Sequence, residues 1–180
     1  VSESADFVSD LGLGHRRLAI IDLSPTGHEP MTIVGENHWL TFNGEIYNYL
    51  ELRDELRACG YEFHTECDAE VIIQAYRAWG VQCLDRFVGM FAFSLWDQIN
   101  HRMFCARDRF GIKPFYYINQ QGLFAFASEI KALRPFAALT PDMDHLAWFL
   151  QYGSVYHAPR TFFQEVQELP GGHYLLIENG

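Results

Sequence analysis

The sequence has few cysteines, no cluster of them and no long hydrophobic run. Its 180 residues include four cysteines and no Cys-x-x-Cys pair, which argues against a zinc site. The longest apolar stretch, residues 90–96, is interrupted by Ser94 and is far too short to cross a membrane. The first residues carry Glu3, Asp6 and Asp10 where a signal peptide has an apolar core, so they do not indicate secretion.

Basic residues are also scarce. Lysine and arginine number 13 against 23 aspartates and glutamates, giving a net charge of −10 and a pI of about 5.1. This balance argues against nucleic acid or an anionic membrane as the main partner. Four cysteines in a chain of this length without a secretory segment predict reduced thiols and a cytoplasmic protein. The length and the 49% hydrophobic content suit one globular domain spanning residues 1–180.

Hydrophobic periodicity and turn residues predict helices mixed with largely antiparallel strands. Helices are predicted over residues 49–58, 67–79 and 142–152, with Asn48 capping the first and Ser128 capping a short helix that ends near residue 133. The predicted apolar stripe of the first helix comprises Ile46, Tyr49, Leu50, Leu52, Leu56 and Cys59. Strands are predicted over residues 11–23, 32–34, 38–42, 61–65 and 173–177, with hairpins over 87–96/103–107 and 115–118/123–127. Several of these strands are apolar on both faces, so we expect an α+β fold with two packed sheets.

The pair Asn43-Gly44 follows an apolar run and precedes a predicted helix. An Asn-Gly pair at the end of a strand is a turn signal. It also places two hydrogen-bond donors close together, the Asn43 side-chain amide and the Gly44 backbone N–H, and such a pair suits a negatively charged oxygen. Taken alone, the pair favours a plain turn.

Longer motifs surround this pair in a fixed order. They are residues 14–24 (GHRRLAIIDLS), 42–48 (FNGEIYN), 68–73 (DAEVII), 89–93 (GMFAF), 106–114 (ARDRFGIKP) and 126–133 (FASEIKAL). In this order they resemble the glutaminase domain of class-II glutamine amidotransferases, most closely that of the glutamine-dependent asparagine synthetases. The resemblance implies the four-layer αββα sandwich of N-terminal-nucleophile hydrolases, with two mainly antiparallel sheets.

The resemblance also implies a reaction and part of its machinery. Asn43 and Gly44 match the oxyanion hole of the family. The family's nucleophile is a cysteine at the mature N-terminus, followed by a Gly-Ile strand, and a later Arg-Gly-Pro-Asp segment completes the pocket. The sequence begins at Val1 and contains neither segment, so we expect an N-terminally incomplete domain. Cys67 has no α-amine to act as base, and we expect it to be a small, partly buried residue at a helix start.

Five further residues match the positions that hold glutamine in this family. Arg17 corresponds to the arginine whose guanidinium fork binds the α-carboxylate. The backbone of Ile20 and Ile21 is expected to contact the ligand, although both side chains also suit a strand core. Glu45 and Asp68 correspond to carboxylates near the α-ammonium group. A structural salt bridge is the alternative for Glu45, and helix capping is the alternative for Asp68.

The segment Arg107-Asp108-Arg109, followed by Lys113-Pro114, forms a conspicuous charged loop. A basic loop can bind phosphate, but this one lacks a glycine-rich cradle and Asp108 cancels part of its charge. We therefore predict that it supports the fold and the neighbouring pocket.

The predicted function is glutamine hydrolysis, with ammonia passing to a separate C-terminal synthetase domain. That domain, which these residues do not include, would use ATP and Mg²⁺ to activate aspartate. The glutaminase domain itself is expected to need no cofactor and no metal, and a homodimer is left open. One alternative is the same domain serving another acceptor, such as a polysaccharide or an aminosugar. The other is a non-catalytic domain that binds glutamine or acts as a scaffold.

Overall fold

The computed structural model describes residues 11–16, 28–33, 37–120, 122–153 and 158–178. These residues form the strands β1 (His38–Ile46), β2 (Gly89–Asp97), β3 (Arg102–Arg107), β4 (Tyr116–Gln120), β5 (Leu123–Ala127), β6 (Gln167–Glu168) and β7 (Tyr174–Glu178). They also form the helices α1 (Tyr49–Ala58), α2 (Asp68–Trp79) and α3 (Met143–Tyr152), and the 3₁₀ helices Gly80–Asp85 and Ile130–Leu133. No helix in these ranges is long and apolar enough to cross a membrane.

The strands make two antiparallel sheets. One has the order β1-β2-β3-β7 and the other the order β5-β4-β6. Side chains from both sheets meet in a shared apolar layer that includes Ala92 and Cys105 from the first sheet and Phe115, Phe126 and Leu169 from the second sheet and its flanks. The predicted α+β class, the two packed sheets and both hairpins are confirmed.

Helices α1 and α2 cover the other face of the four-stranded sheet. Alternate residues of β2, including Phe91, Phe93 and Leu95, pack there against helix residues such as Leu56 and Ile72. On the far side of the three-stranded sheet, a smaller apolar cluster joins β4 and β5 to the 3₁₀ helix Ile130–Leu133 and the loops beside it. Burial on both faces explains why β2 is almost continuously apolar.

The strand β1 continues through the predicted turn. Asn43 lies opposite Ala92, and Gly44 lies opposite Phe91, so the expectation that Asn43-Gly44 ends a strand is wrong. The glycine is needed for close approach, since a Cβ atom at Gly44 would lie 2.2 Å from the backbone oxygen of Met90. The backbone φ of 154° at Gly44 is also one that side-chain-bearing residues rarely adopt.

Helix α1 has the predicted bounds but a different buried face. Leu52 and Leu56 are buried as expected, whereas Leu50 and Cys59 are exposed. Their place is taken by Arg53, which is only 1% exposed. Its guanidinium donates to the Cys67 carbonyl oxygen and pairs with a glutamate at the solvent boundary, which makes the burial of a charge tolerable.

Neither of the two predicted caps forms a side-chain capping bond, and α3 has a cap that was not predicted. Asn48 precedes α1, but its side chain instead accepts from the Val88 N–H and donates to the Arg86 carbonyl, so it fixes the loop before β2. Ser128 does not cap the following 3₁₀ helix, whose N-cap residue is Glu129. Asp142 caps α3 by accepting from the His145 N–H at 3.0 Å.

Residues 61–65 were predicted to form a strand and do not. Their backbone is held by side chains of α2, because Glu70 accepts from the N–H groups of His64 and Thr65 while Gln74 donates to the Glu62 carbonyl. Of the strand predicted over residues 11–23, residues 12–16 are irregular and residues 17–23 lie outside the described ranges. Of the strand predicted over residues 32–34, residues 32–33 are irregular and residue 34 lies outside those ranges.

Candidate active site

A cleft of about 700 Å³ opens where the ends of β1 and β5 approach the start of α2. Its lining brings together four predicted site residues, Asn43, Gly44, Glu45 and Asp68. The other three, Arg17, Ile20 and Ile21, lie outside the described residues.

The backbone of β1 alternates between its two edges. Tyr47, just beyond the strand, donates to the Val88 carbonyl and so continues the ladder with β2. In an antiparallel pair the N–H groups point alternately toward and away from the partner strand. The even-numbered residues of β1 therefore direct their N–H groups away from β2, as Leu40 shows by donating to the Met31 carbonyl at 2.8 Å.

Carboxylates take the N–H groups on either side of Gly44. Phe42 donates to Glu29 Oε2 at 2.7 Å, and Ile46 donates to Asp68 Oδ2 at 3.0 Å. The Gly44 N–H lies between them on the same edge, and no acceptor for it is found within the described ranges. One backbone donor of this edge is thus left facing the cleft, where a ligand can use it.

The Asn43 side chain stands on the face that looks toward the second sheet. Its Nδ2 donates to Ser128 Oγ at 3.4 Å, at the end of β5. An amide NH₂ group has two hydrogens, so one remains beside the Gly44 N–H. Two neighbouring donors that line one cleft are the kind of groups that can stabilise a developing oxyanion.

Asp68 is the first residue of α2, and it is 4% exposed at the wall of the cleft. Burial is the main effect on its carboxyl and raises its pKa, and the nearby charge of Glu45 acts in the same direction; the hydrogen bond from Ile46 opposes both. The N-cap residue is Cys67, and no side chain caps this helix, so the capping alternative for Asp68 is not observed.

Glu45 is half-buried and lines the same cleft. Among the described residues it forms no salt bridge, so the structural salt bridge considered for it has no support there. Glu45 and Asp68 together give this end of the cleft a negative charge that suits an ammonium group. No group of metal-binding side chains is found within the described ranges.

The cysteines described here do not suit a nucleophile. Cys67 is buried, with its Sγ 3.6 Å from Asp68 Oδ1, a neighbour that does not favour a thiolate. Burial raises the pKa of the Cys83 and Cys105 thiols to about 12. Cys59 is exposed at the end of α1. These observations agree with the expectation that Cys67 is a structural residue.

The charged side chains of the loop form hydrogen bonds mainly with the backbone. The Asp108 carboxylate is 1% exposed and accepts from four backbone N–H groups, those of Phe91, Phe110, Ile112 and Lys113. Because Phe91 lies opposite Gly44, this carboxylate also holds the part of β2 against which Gly44 packs. The contacts support the predicted structural role of the loop.

The two arginines of this loop act in the same way. Arg107 donates to the carbonyl oxygens of Gly111, Lys113 and Leu169, and it pairs with a carboxylate of β6. Arg109 donates to the Phe87 carbonyl at 2.7 Å. Neither guanidinium is free to act as a phosphate clamp.

Sequence reasoning missed two polar residues of the cleft, Glu29 and Ser128. Glu29 is buried, accepts from Phe42 and lies 3.3 Å from His15 Nδ1. Its position in a loop dense in turn residues carried no periodic signal. Ser128 was noticed only as a helix cap, because its contact with Asn43 spans 85 residues and depends on how the two sheets pack.

Comparison with known proteins identifies the family of this chain. The family model of the glutamine amidotransferase domain matches residues 4–180. The chain belongs to this family. Asparagine synthetase [glutamine-hydrolyzing] 1 of Bacillus subtilis is 47% identical over 94% of this chain, and asparagine synthetase [glutamine-hydrolyzing] 3 of the same organism is 37% identical over 90%. The chain spans about a quarter of the length of these curated relatives, 27% in both cases.

One further relative and one solved structure are also similar to this chain. The amidase chyE of Penicillium rubens is 36% identical over 92% of this chain and 24% of its own length. The glutamine phosphoribosylpyrophosphate amidotransferase of B. subtilis has a TM-score of 0.62 at 21% identity, covering 92% of this chain and 32% of its own. At this identity the similarity to the solved structure shows the fold alone, and the fold expected from the sequence is confirmed.

Proposed function

We propose that this domain hydrolyses the side-chain amide of glutamine and supplies ammonia to an asparagine synthetase. The observation that carries the proposal is the pair of donors at the cleft, the Gly44 N–H with no described acceptor and the Asn43 amide beside it. Edge strands commonly leave such donors to solvent, and here the donor lies in a cleft that Glu45 and Asp68 also line.

The chemistry requires a thiolate that attacks the amide carbon of glutamine. The carbonyl oxygen then becomes negative, and Asn43 and Gly44 stabilise it in the transition state. Collapse of the tetrahedral intermediate breaks the C–N bond, and the protonated nitrogen leaves as ammonia. Water then cleaves the γ-glutamyl thioester, which yields glutamate and returns the thiol.

The remaining groups would hold the α-substituents of glutamine. Asp68 and Glu45 provide negative charge for the α-ammonium group, while Arg17 is proposed to bind the α-carboxylate and the backbone of Ile20 and Ile21 to contact the ligand. By resemblance to the family, the thiol and its base are the side chain and α-amine of an N-terminal cysteine. Buried Cys67 does not take this part.

Transfer of ammonia to aspartate is proposed for the whole protein. The supporting observation is the 47% identity to a glutamine-hydrolysing asparagine synthetase, of which this chain covers 27%. ATP and Mg²⁺ would act in a synthetase domain outside these residues, in a cytoplasmic protein. The similarity to the amidase chyE keeps a second candidate, the same glutaminase chemistry serving another acceptor.

The natural full-length protein tests the proposal. Supplied with glutamine, aspartate and MgATP, it should form glutamate and asparagine, and Cys67→Ala should not change either rate. Arg17→Lys should raise the KM for glutamine by about tenfold or more, because the bidentate fork is lost, while synthesis from ammonia is spared. Absence of glutamine hydrolysis overturns the proposal. Hydrolysis without asparagine formation favours the other acceptor.

A further inference from the structure

Ser128 is the described residue whose side chain contacts the Asn43 amide. The Asn43 Nδ2 donates to Ser128 Oγ at 3.4 Å. No other hydrogen bond of the Asn43 side chain is found within the described ranges. Ser128 directly follows β5, and its neighbour Ala127 is paired with Tyr116 in the second sheet. The contact therefore joins a half-buried amide on one sheet to an anchor on the other.

The orientation of the Asn43 amide matters for the proposed chemistry. A side-chain amide can present either its NH₂ group or its carbonyl oxygen, and rotation about its last bond exchanges them. An oxyanion is stabilised by the NH₂ group and repelled by the carbonyl oxygen. The structure engages one Nδ2 hydrogen with Ser128 Oγ, which leaves the other hydrogen of the same group for the cleft.

We propose that Ser128 is a positioning residue that holds the Asn43 amide in its donating orientation. This inference rests on the proposed glutaminase function. Ser128 acts through Asn43 and is not required to touch the substrate. A donor that is already oriented costs no reorganisation when charge develops, so the effect belongs to the transition state.

The test uses the natural full-length protein and the variants Ser128→Ala, Ser128→Thr, Asn43→Ala and the double variant Asn43→Ala/Ser128→Ala. Ser128→Ala should lower the glutamine-dependent kcat by about 2- to 10-fold, which corresponds to the net worth of one hydrogen bond. The KM for glutamine and the ammonia-dependent rate should stay within twofold, as an order-of-magnitude expectation. Ser128→Thr, which keeps the hydroxyl, should restore kcat.

The double variant separates positioning from other roles. Once Asn43 is removed, adding Ser128→Ala should cause no further loss, because both substitutions act on the same group. Equal proportional losses in both backgrounds would overturn the proposal, because they show that Ser128 acts independently of Asn43. A raised KM would also overturn it, because it indicates a role in binding the substrate. A fall in Tm with parallel loss of both activities would show that the bond only joins the sheets.

The result for the wild-type protein distinguishes failure of the Ser128 positioning role from failure of the proposed glutaminase function. If the wild type hydrolyses glutamine and Ser128→Ala retains full kcat, the positioning role fails and the proposed function stands. If the wild type shows no glutamine hydrolysis, both fail.

Discussion

Two polar segments of this domain use their hydrogen-bonding groups in opposite ways. In the Arg107-Asp108-Arg109 loop the buried Asp108 carboxylate accepts from four backbone N–H groups, and Arg107 donates to three carbonyl oxygens. In the Asn43-Gly44-Glu45 segment of β1, the described part of the chain offers no acceptor to the Gly44 N–H. It also offers no ion-pair partner to the Glu45 carboxylate. The more highly charged segment is therefore the structural one.

The difference shows how a structural motif can be told from a site. A buried charge is tolerated when the fold satisfies its hydrogen-bonding capacity, and it then has little left to offer a ligand. Hydrogen-bonding groups that remain unsatisfied beside a cleft destabilise the ligand-free protein. A ligand that bonds to them removes this free-energy cost. The two segments are also joined, since Asp108 holds Phe91, the residue opposite Gly44.

The largest effect is expected at Gly44. In Gly44→Ala the added Cβ would lie 2.2 Å from the Met90 oxygen and 2.7 Å from the Phe91 Cα, so β1 and β2 must separate. We expect a loss of more than about 4 kcal/mol in the free energy of unfolding, measured by denaturant melts. Gly12→Ala is the matched control, because Gly12 lines the same cleft and a Cβ there meets nothing within 4 Å. Equal stability of the two variants would contradict the close approach.

A substitution in the charged loop should lower the stability of the domain and leave glutamine binding unchanged. Asp108→Asn replaces one carboxylate oxygen by an NH₂ group, and each oxygen now accepts from two N–H groups. Two buried or partly buried donors lose their acceptor whichever way the amide lies, for a loss of about 2–4 kcal/mol. Thermal unfolding checks this. In the fraction that remains folded, the KM for glutamine should be unchanged, and a selective loss of glutamine binding at full stability would assign the loop to the site.

A smaller effect of opposite sign is expected at Asp68. Burial raises the pKa of Asp68 in the folded, ligand-free protein. At a pH above this raised pKa, the ionised carboxylate therefore lowers the free energy of unfolding. The penalty fades as the pH falls from the folded pKa toward the lower pKa of the unfolded chain. Asp68→Asn should therefore raise the Tm of the ligand-free protein at neutral pH and lose that advantage in acid. Asp54→Asn, at an exposed position of α1, controls for the loss of one carboxylate from the protein.

The same carboxyl predicts how glutamine binding varies with pH. An α-ammonium group beside Asp68 favours the ionised carboxylate, so affinity should weaken as the pH falls through the raised pKa. Titration calorimetry at several pH values measures this. Affinity that stays constant across the acid range would remove Asp68 from the binding of the ammonium group.

Much of the fold was predictable because its signals are local. The three helices and two hairpins follow from periodicity and turn residues, and the predicted residues Asn43, Gly44, Glu45 and Asp68 do meet at one cleft. Arg17, Ile20 and Ile21 lie outside the described residues, and their roles stay predictions.

The errors arose where tertiary contacts override local preference. Asn43-Gly44 lies within a strand because β2 approaches closely there, and residues 61–65 bond to Glu70 and Gln74 instead of joining a sheet. Arg53 is buried because its charge meets the Cys67 carbonyl and a glutamate. Glu70 lies five and six residues from Thr65 and His64, and the other partners lie further along the chain. None of these separations matches the repeat of a helix or a strand, so periodicity could not reveal the contacts.

The central claim is that Asn43 acts on the transition state of glutamine hydrolysis. The most direct test measures glutamine-dependent kcat, ammonia-dependent rate and Tm on Asn43→Ala in the natural full-length protein. We expect kcat to fall by about 10²–10³, the typical worth of one oxyanion donor, with the KM for glutamine, the ammonia-dependent rate and Tm nearly unchanged. An unaltered kcat, or a lowered Tm with both activities impaired together, would contradict the account.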